Sequence, residues 1–475
     1  MSWITLDRQS SIPLIRQIYD QLRSRILGGS LRSGTRLPSS RELAARLHVS
    51  RNVVMEAYDL LYAEGFTCGR HGSGTYIAEG ATYSPSPPSP SPALEGVSMG
   101  YDSPSGVINF KPGTPDLRQF PTRVWLRMLR EVYARADEEL LGYGRPEGRP
   151  ELRKAIRDYL VSRRGVVCHP DQIVVTAGTT QAIGIACSLL LGESRHVVLE
   201  DPITRDIQLI IQREGGIIHP VGTDDAGLIT DELPEGVMPA FIYVTPSHQF
   251  PLGGTLTIQR RIALLEYAER IGAPVIEDDY DSEFRFDGPP LNSLQSLAPE
   301  RVIYIGTFSK TLFPALRTGY LILPQTLIDK GRGRKWLCDL HNETASQIAL
   351  AEFINQGHYL RHTARMRRLY SRKRRLLEKC LEKAFSNGVR IIGSAAGLHL
   401  AAQFQGVVFD AGLLAELEDA GVRVYPAEMH AIQAGRCTDT LIIGYGNLDE
   451  GLIREGVEIL RKVLERVERQ ALKTR

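Results

Sequence analysis

Between Val302 and Tyr320 the chain reads VIYIGTFSKTLFPALRTGY, and this stretch places Lys310 directly after Ser309 and seven residues before Arg317. An apolar run, VIYIG, precedes the lysine, so its amine emerges at the end of a strand that wants burial. Desolvation lowers a lysine pKa, and an amine that sheds its proton easily is a competent Schiff-base nucleophile. The hydroxyls of Thr307 and Ser309 and the guanidinium of Arg317 are suited to a phosphate dianion through charge-assisted hydrogen bonds. One amine and one phosphate clamp are what a pyridoxal phosphate (PLP) site requires.

The segment GTFSKTLFPALRTGY resembles the lysine segment of fold-type-I aminotransferases. That resemblance implies an α/β domain with a smaller C-terminal α+β subdomain, PLP as cofactor and Lys310 as the residue that carries its aldehyde. PLP also needs a carboxylate at its ring nitrogen to act as an electron sink. The stretch VIEDDYDSEF ends a predicted strand with Glu277, Asp278 and Asp279. Similarity to aminotransferases assigns Asp278 to the ring nitrogen, with Asp279 as the rival, and Tyr280 to the ring hydroxyl. It also implies phosphate contacts from Thr179 and Thr180 in DQIVVTAGTTQAIGIACSLLL, beside Thr307, Ser309 and Arg317. The strand–turn–helix pattern there makes the helix start a natural anion seat. Tyr143 corresponds to a tyrosine that reaches the phosphate of a neighbouring subunit, which implies a homodimer.

Strands alternating with helices, with polar residues at the strand ends, match the pattern of an open parallel sheet. The body carrying them is expected to run from 107 to 475, with the C-terminal subdomain from about 345. Its first segment, INFKPGTPDLRQFP, reads as an arm that packs on a partner subunit. Three positions depart from the aminotransferase pattern. Thr204 stands where an aromatic ring stacks on the cofactor, and Ile442 stands where an arginine grips the substrate carboxylate. The asparagine expected before Pro-x-Gly is absent from SHQFPLGG, leaving His248 or Gln249 as substitutes. A bidentate arginine clamp is not replaced by an alkyl group, so efficient transamination is not expected. Arg205 and Arg423 are the alternative anion grips.

Ahead of this body lies a different module. SIPLIRQIYDQLRSRILGG spaces Leu14, Ile15, Ile18, Leu22, Ile26 and Leu27 at helical intervals and ends in two glycines. In LPSSRELAARLHVSRNVVMEAYDLL, Ser39 or Ser40 caps one short helix and Ser50 caps a second. Leu43, Ala44, Leu47, Val54 and Leu61 give the pair facing apolar sides, the spacing of a helix-turn-helix. FTCGRHGSGTYIA follows as a hairpin wing with Arg70, His71 and Gly72 at its tip. Together these stretches resemble the GntR family of winged helix-turn-helix regulators over residues 11 to 78. The resemblance implies contacts to an operator in double-stranded DNA from Arg41, Arg51, Asn52, Arg70, His71 and Gly72. Arg51 and Asn52 open the second helix, where side chains reach base edges, while Arg41 is placed to meet phosphate.

The 475 residues therefore divide into a winged helix-turn-helix at 1–78, a linker at 79–106 and the α/β body at 107–475. SPSPPSPSP, residues 84–92, favours extended polyproline conformations and builds no core. Ten arginines against six acids make residues 1–78 basic in a chain whose net charge is only +2. Six scattered cysteines form no CxxC pair, which points to no metal and no disulfide framework. No membrane-length apolar run or signal peptide is read, so a cytoplasmic location is expected. The whole arrangement is similar to MocR-type (GabR-like) transcription regulators, implying a body that senses an amine, an amino-acid-like ligand or PLP. The alternative is an active aminotransferase with a fused DNA-binding module, and a cofactor-free scaffold is a third reading. The basic run HYLRHTARMRRLYSRKRRLLEKC, 358–380, is either a solvated helical face or an accessory surface for DNA phosphates.

Overall fold

The computed structural model describes residues 4–70, 73–81 and 106–474. The chain forms two compact units, 1–101 and 102–475.

In the first unit, α1 (Leu14–Leu27), α2 (Ser40–Leu47) and α3 (Arg51–Ala63) precede the strands β1 (Thr67–Arg70) and β2 (Gly74–Ile77). Ser39 caps α2 by accepting from the Glu42 N–H, and Ser50 caps α3 by accepting from the Val53 N–H. His48 closes α2 in the left-handed region (φ 53°), which turns the chain sharply into α3. Ile18, Leu22 and Ile26 of α1 bury against Leu43 and Leu47 of α2, Val54 and Leu61 of α3, and Ile77 of β2. One apolar stripe per helix thus closes a single small core. β1 and β2 pair antiparallel from Thr67↔Ile77 to Arg70↔Gly74. The expected tip residues His71 and Gly72, the Arg70 side chain and most of the linker lie outside the described residues.

In the second unit, β3 (Ile108–Asn109) is followed by α4 (Thr122–Ala134), α5 (Glu138–Leu141) and α6 (Pro150–Arg164). Next come β4 (Ile173–Thr176), α7 (Thr179–Leu190), β5 (His196–Asp201), α8 (Arg205–Arg213), β6 (Ile217–Asp224) and β7 (Gly227–Leu228). β8 (Phe241–Val244), α9 (Ile258–Ile271), β9 (Val275–Asp279), β10 (Val302–Thr307) and β11 (Gly319–Ile322) complete a sheet ordered β4-β11-β10-β9-β8-β5-β6-β7. Every residue of β4, β8, β9 and β10 is buried, as in sheets covered on both faces. Alternation sends Ile303 and Ile305 towards the α7 and α8 side, and Val302 and Tyr304 towards the α4, α6 and α9 side.

The sheet is not wholly parallel, contrary to the reading from sequence. β11 runs antiparallel to both β10 and β4, and β7 is an antiparallel edge on β6. Only residues 308–318 join β10 to β11, too few for a crossover helix, so the chain doubles back. Lys310 lies in that short return.

The chain continues through α10 (Ile328–Asp339), α11 (Thr344–Asn355) and α12 (His358–Phe385). β12 (Val389–Ile392), β13 (His399–Phe404), α13 (Ala411–Asp419), β14 (Val422–Arg423), β15 (Tyr425–Pro426), β16 (Thr440–Gly444) and α14 (Glu450–Thr474) follow. β12, β13, β16 and β15 make an antiparallel sheet packed on α12, α13 and α14 through Tyr370, Leu377, Leu417, Leu441 and Ile453. Two details differ from expectation. Ala345, Ala349 and Phe353 of α11 share the core of α4 and α6, so α11 belongs with the large sheet and not with a subdomain starting near 345. The arm at 108 opens by pairing in parallel with β14 of its own chain, Ile108↔Val422 and Asn109↔Arg423, a contact that was not expected. Among the described residues, no helix is long and apolar enough to cross a membrane.

Candidate functional site

The C-terminal ends of β5, β8, β9 and β10 deliver the chemically active side chains to one region, as open α/β sheets do. Lys310 sits three residues past β10 and is partly buried. Burial lowers the pKa of its amine, opposed by the nearby charges of Asp281 and Asp278. The arm after β3 comes close: a Cβ added at Gly113 would stand 2.9 Å from Lys310 Nζ, and Gly113 has φ +67°. Only glycine fits there without displacing the amine.

Asp278 and Asp279 end β9 side by side but point to opposite faces. The Asp279 Oδ2 accepts from Arg164 Nε at 2.8 Å and from the Tyr304 hydroxyl, which makes it half of a buried ion pair. Asp278 has no cationic partner of that kind. Its Oδ2 accepts from the Tyr243 hydroxyl at 2.5 Å, and its Oδ1 is buried with no hydrogen-bond partner among the described residues. Burial pushes the Asp278 carboxyl up to about 7, against the pull of the Tyr243 bond. A buried acceptor left empty is costly unless something donates to it. The Asp278 oxygen therefore suits a cationic N–H donor.

The Tyr280 hydroxyl lies 3.1 Å from His248 Nδ1, which is 3.0 Å from both Asp281 oxygens. Burial opposes protonation of His248, but the Asp281 carboxylate outweighs it and the imidazole pKa is raised. His248, and not Gln249, is thus the residue of SHQFPLGG that reaches Tyr280. Gln249 is wholly buried and braces the loop by donating to the Pro202 carbonyl at 2.8 Å.

A second group of side chains gathers at the start of α7. Thr179 and Thr180 are its first two residues, after Gly178 with φ +100°. Arg317 adopts a left-handed backbone (φ 47°) and its Nη2 donates to the Ala177 carbonyl at 2.5 Å. A Cβ at Gly178 would stand 3.0 Å from that Nη2, so glycine leaves the cradle open. Thr307 Oγ1 donates to Ser309 Oγ at 3.1 Å and accepts from the Ser309 N–H at 3.2 Å. Exposed helix N–H groups, hydroxyls and a guanidinium make this end suited to an oxyanion. Tyr143 is not part of the cluster within one chain. It is 84% exposed, with its ring 6.2 Å from that of His341.

The departures from the aminotransferase pattern have clear placements. Thr204 stands just before α8 without a side-chain capping hydrogen bond, and Ile442 is fully buried in β16 beside Phe250, Leu252 and Tyr425. Arg205 is exposed and donates to Gln208 Oε1, while Arg423 is ion-paired with Glu418. Tyr243, Arg164, Asp281 and Gly113 were not singled out from sequence. Tyr243, Arg164 and Gly113 act on the site from distant segments, whereas Asp281 lies beside Tyr280 within VIEDDYDSEF itself.

In the other unit, Arg41 lies in the first turn of α2 and Arg51 and Asn52 open α3, all exposed. Arg51 Nε donates to Ser40 Oγ at 3.3 Å, which ties the starts of the two helices together.

Residues 14–77 match the family described as bacterial regulatory proteins, gntR family, and residues 105–458 match aminotransferase class I and II. The chain is 35% identical over 471 residues to the probable rhizopine catabolism regulatory protein MocR of Rhizobium meliloti, covering 96% of this chain and 95% of that one. It is 33% identical to the HTH-type pyridoxine biosynthesis transcriptional regulator PdxR of Corynebacterium glutamicum, covering 94% of both chains. Among solved structures it resembles LysN, the α-aminoadipate aminotransferase of Thermus thermophilus complexed with N-(5'-phosphopyridoxyl)-L-leucine. There the TM-score is 0.71 at 26% identity, covering 77% of this chain and 94% of that one.

Proposed function

The chain belongs to the family of MocR-type transcriptional regulators, in which a GntR domain is joined to an aminotransferase class I and II domain, and from that premise we propose that it is a PLP-dependent regulator whose body reads an amine at Lys310. The observation that carries this reading is the pairing of a desolvated Lys310 with the buried, unpartnered oxygen of Asp278 and the open cradle at Gly178 and Arg317. PLP fits that set, and the resemblance to an aminotransferase complexed with a phosphopyridoxyl compound supports it. When bound, PLP supplies an electrophilic carbonyl and a pyridinium electron sink. Asp278 holds the proton of the ring nitrogen, Tyr280 is held by His248 to meet the ring hydroxyl, and Lys310 supplies the covalent anchor. Thr179, Thr180, Thr307, Ser309 and Arg317 hold the phosphate, with the exposed Tyr143 contributed across a homodimer.

An incoming primary amine competes with Lys310 Nζ, and regulation requires that the amine-bound and amine-free bodies differ in free energy. The effector is an amine, an amino-acid-like ligand or PLP itself; the name of PdxR, for pyridoxine biosynthesis, supports keeping the last. Turnover is expected to be poor, because buried Ile442 offers no grip for a carboxylate. In the first unit Arg51 and Asn52 read base edges of an operator and Arg41 positions the unit on phosphate, with Arg70, His71 and Gly72 on the wing. The visible absorption spectrum of wild type beside Lys310→Ala tests the reading. A lysine-dependent band that shifts with one amine and yields no product is expected. A wild type that gains no band with added PLP would sink it.

A further inference from the structure

A cavity of about 90 Å³ opens between α6, the turn after β9 and α12. Neither Lys310, Asp278 nor Arg317 lines it. Its walls include four arginines, Arg163 and Arg164 from α6, Arg285 from the turn and Arg367 from α12. Arg164 is neutralised by Asp279 at 2.8 Å. The other three make no ion pair among the described residues, and Arg285 Nε and Nη1 are buried with no hydrogen-bond partner. The one acid in the lining, Glu283, accepts from the Tyr159 and Tyr359 hydroxyls at 3.3 and 3.2 Å. Burial pushes its carboxyl up to about 7, so it only partly offsets the positive charge at neutral pH.

Buried N–H groups without acceptors are rare because each forfeits its hydration without replacement. Three uncompensated guanidinium groups converging on such a space favour an oxyanion, which arginine forks engage in a bidentate manner. The cavity has room for a phosphate group and is recessed, which favours a small molecule over the continuous backbone of a duplex. We propose that this cavity is a second anion site, separate from the cradle at Arg317, that takes the phosphate group of a small molecule. The basic character of α12 then has a local use: Arg367 faces a built site as well as solvent. Because Arg164 both lines the cavity and holds Asp279, an occupant here adjoins the strand end that carries Asp278.

Calorimetric titration of the full-length, cofactor-free protein with inorganic phosphate at constant ionic strength tests the proposal. Two sites per chain are expected in wild type. Arg285→Gln should weaken one of them at least about tenfold, the loss of one charge-assisted contact, and leave the other intact. Arg317→Gln should do the reverse, so failure at the cofactor cradle is distinguishable from failure here. Arg163→Gln, at an exposed position, should weaken the same site as Arg285→Gln and guards against a misfolded variant. Phosphate binding unchanged in both the Arg285 and Arg163 variants overturns the proposal. So does a variant that loses DNA affinity while keeping both phosphate sites, since the arginines would then serve a nucleic-acid backbone.

Discussion

Asp278→Asn should stabilise the cofactor-free protein at high pH while weakening its hold on the cofactor. The Asp278 carboxyl is raised from 3.8 to about 7, chiefly by burial. Between those values the folded state keeps a proton that the unfolded chain has released, so stability falls as pH rises through that window and levels off above it. From pH 5 to pH 7 the fall attributable to this group is roughly 2 kcal/mol, because the slope of about 1.4 kcal/mol per unit has already halved at the folded pKa. Asparagine has nearly the same shape, can accept from Tyr243 and carries no charge to desolvate. Its amide leaves one buried donor unsatisfied, a pH-independent cost of about 1–3 kcal/mol. The diagnostic is therefore the difference between the two proteins, which should move by roughly 3 kcal/mol in favour of Asn between pH 5 and pH 8. Urea unfolding at both pH values, followed by fluorescence of Trp125 in the core of the large unit, measures it. Parallel pH profiles would refute the claim that Asp278 is an uncompensated buried acid. Added PLP should then narrow the gap in wild type alone, since only the carboxylate accepts the ring proton.

Breaking the pair behind it should cost more. Arg164→Gln leaves Asp279 buried without its cation and should destabilise the large unit by about 3–5 kcal/mol, read from thermal melting. Ser39→Ala removes the cap of α2, with an expected loss of about 1 kcal/mol in urea unfolding of the first unit. Gly113→Ala should impair covalent retention of PLP, measured as loss of the visible band, because the added methyl meets the Lys310 amine. On DNA, Arg51→Ala should relax base preference by about 1–3 kcal/mol at one position, whereas Arg41→Ala should weaken all sequences alike and reduce the salt slope by about 1. Fluorescence anisotropy across operator variants and salt concentrations separates the two.

Much of this protein is written in contiguous stretches. Helical spacing in residues 14–61 and the serines before each helix mark α1 to α3, because capping and amphipathic burial depend on neighbours a few residues away. The lysine segment is legible for the same reason: Thr307, Ser309, Lys310 and Arg317 all lie on one short return between adjacent strands, whose geometry brings them near one another. The antiparallel direction of β11 was not read, although the 308–318 connection is short enough to have required it. The pairing of residues 108 and 109 with β14 was not read either, because two residues carry no local signature.

What sequence left open between Asp278 and Asp279 depended on contacts 35 and 115 residues away. Period-two alternation alone says that the two carboxylates face opposite sides of the sheet. It does not say what waits on each side. Packing of α6 brings Arg164 to Asp279, while β8 brings only the Tyr243 hydroxyl to Asp278 and leaves one oxygen empty. Residue type and spacing thus determined which groups were available for chemistry. The neutralised carboxylate and the vacant one were chosen by long-range packing, since desolvation and ion pairing depend on neighbours in space and not along the chain.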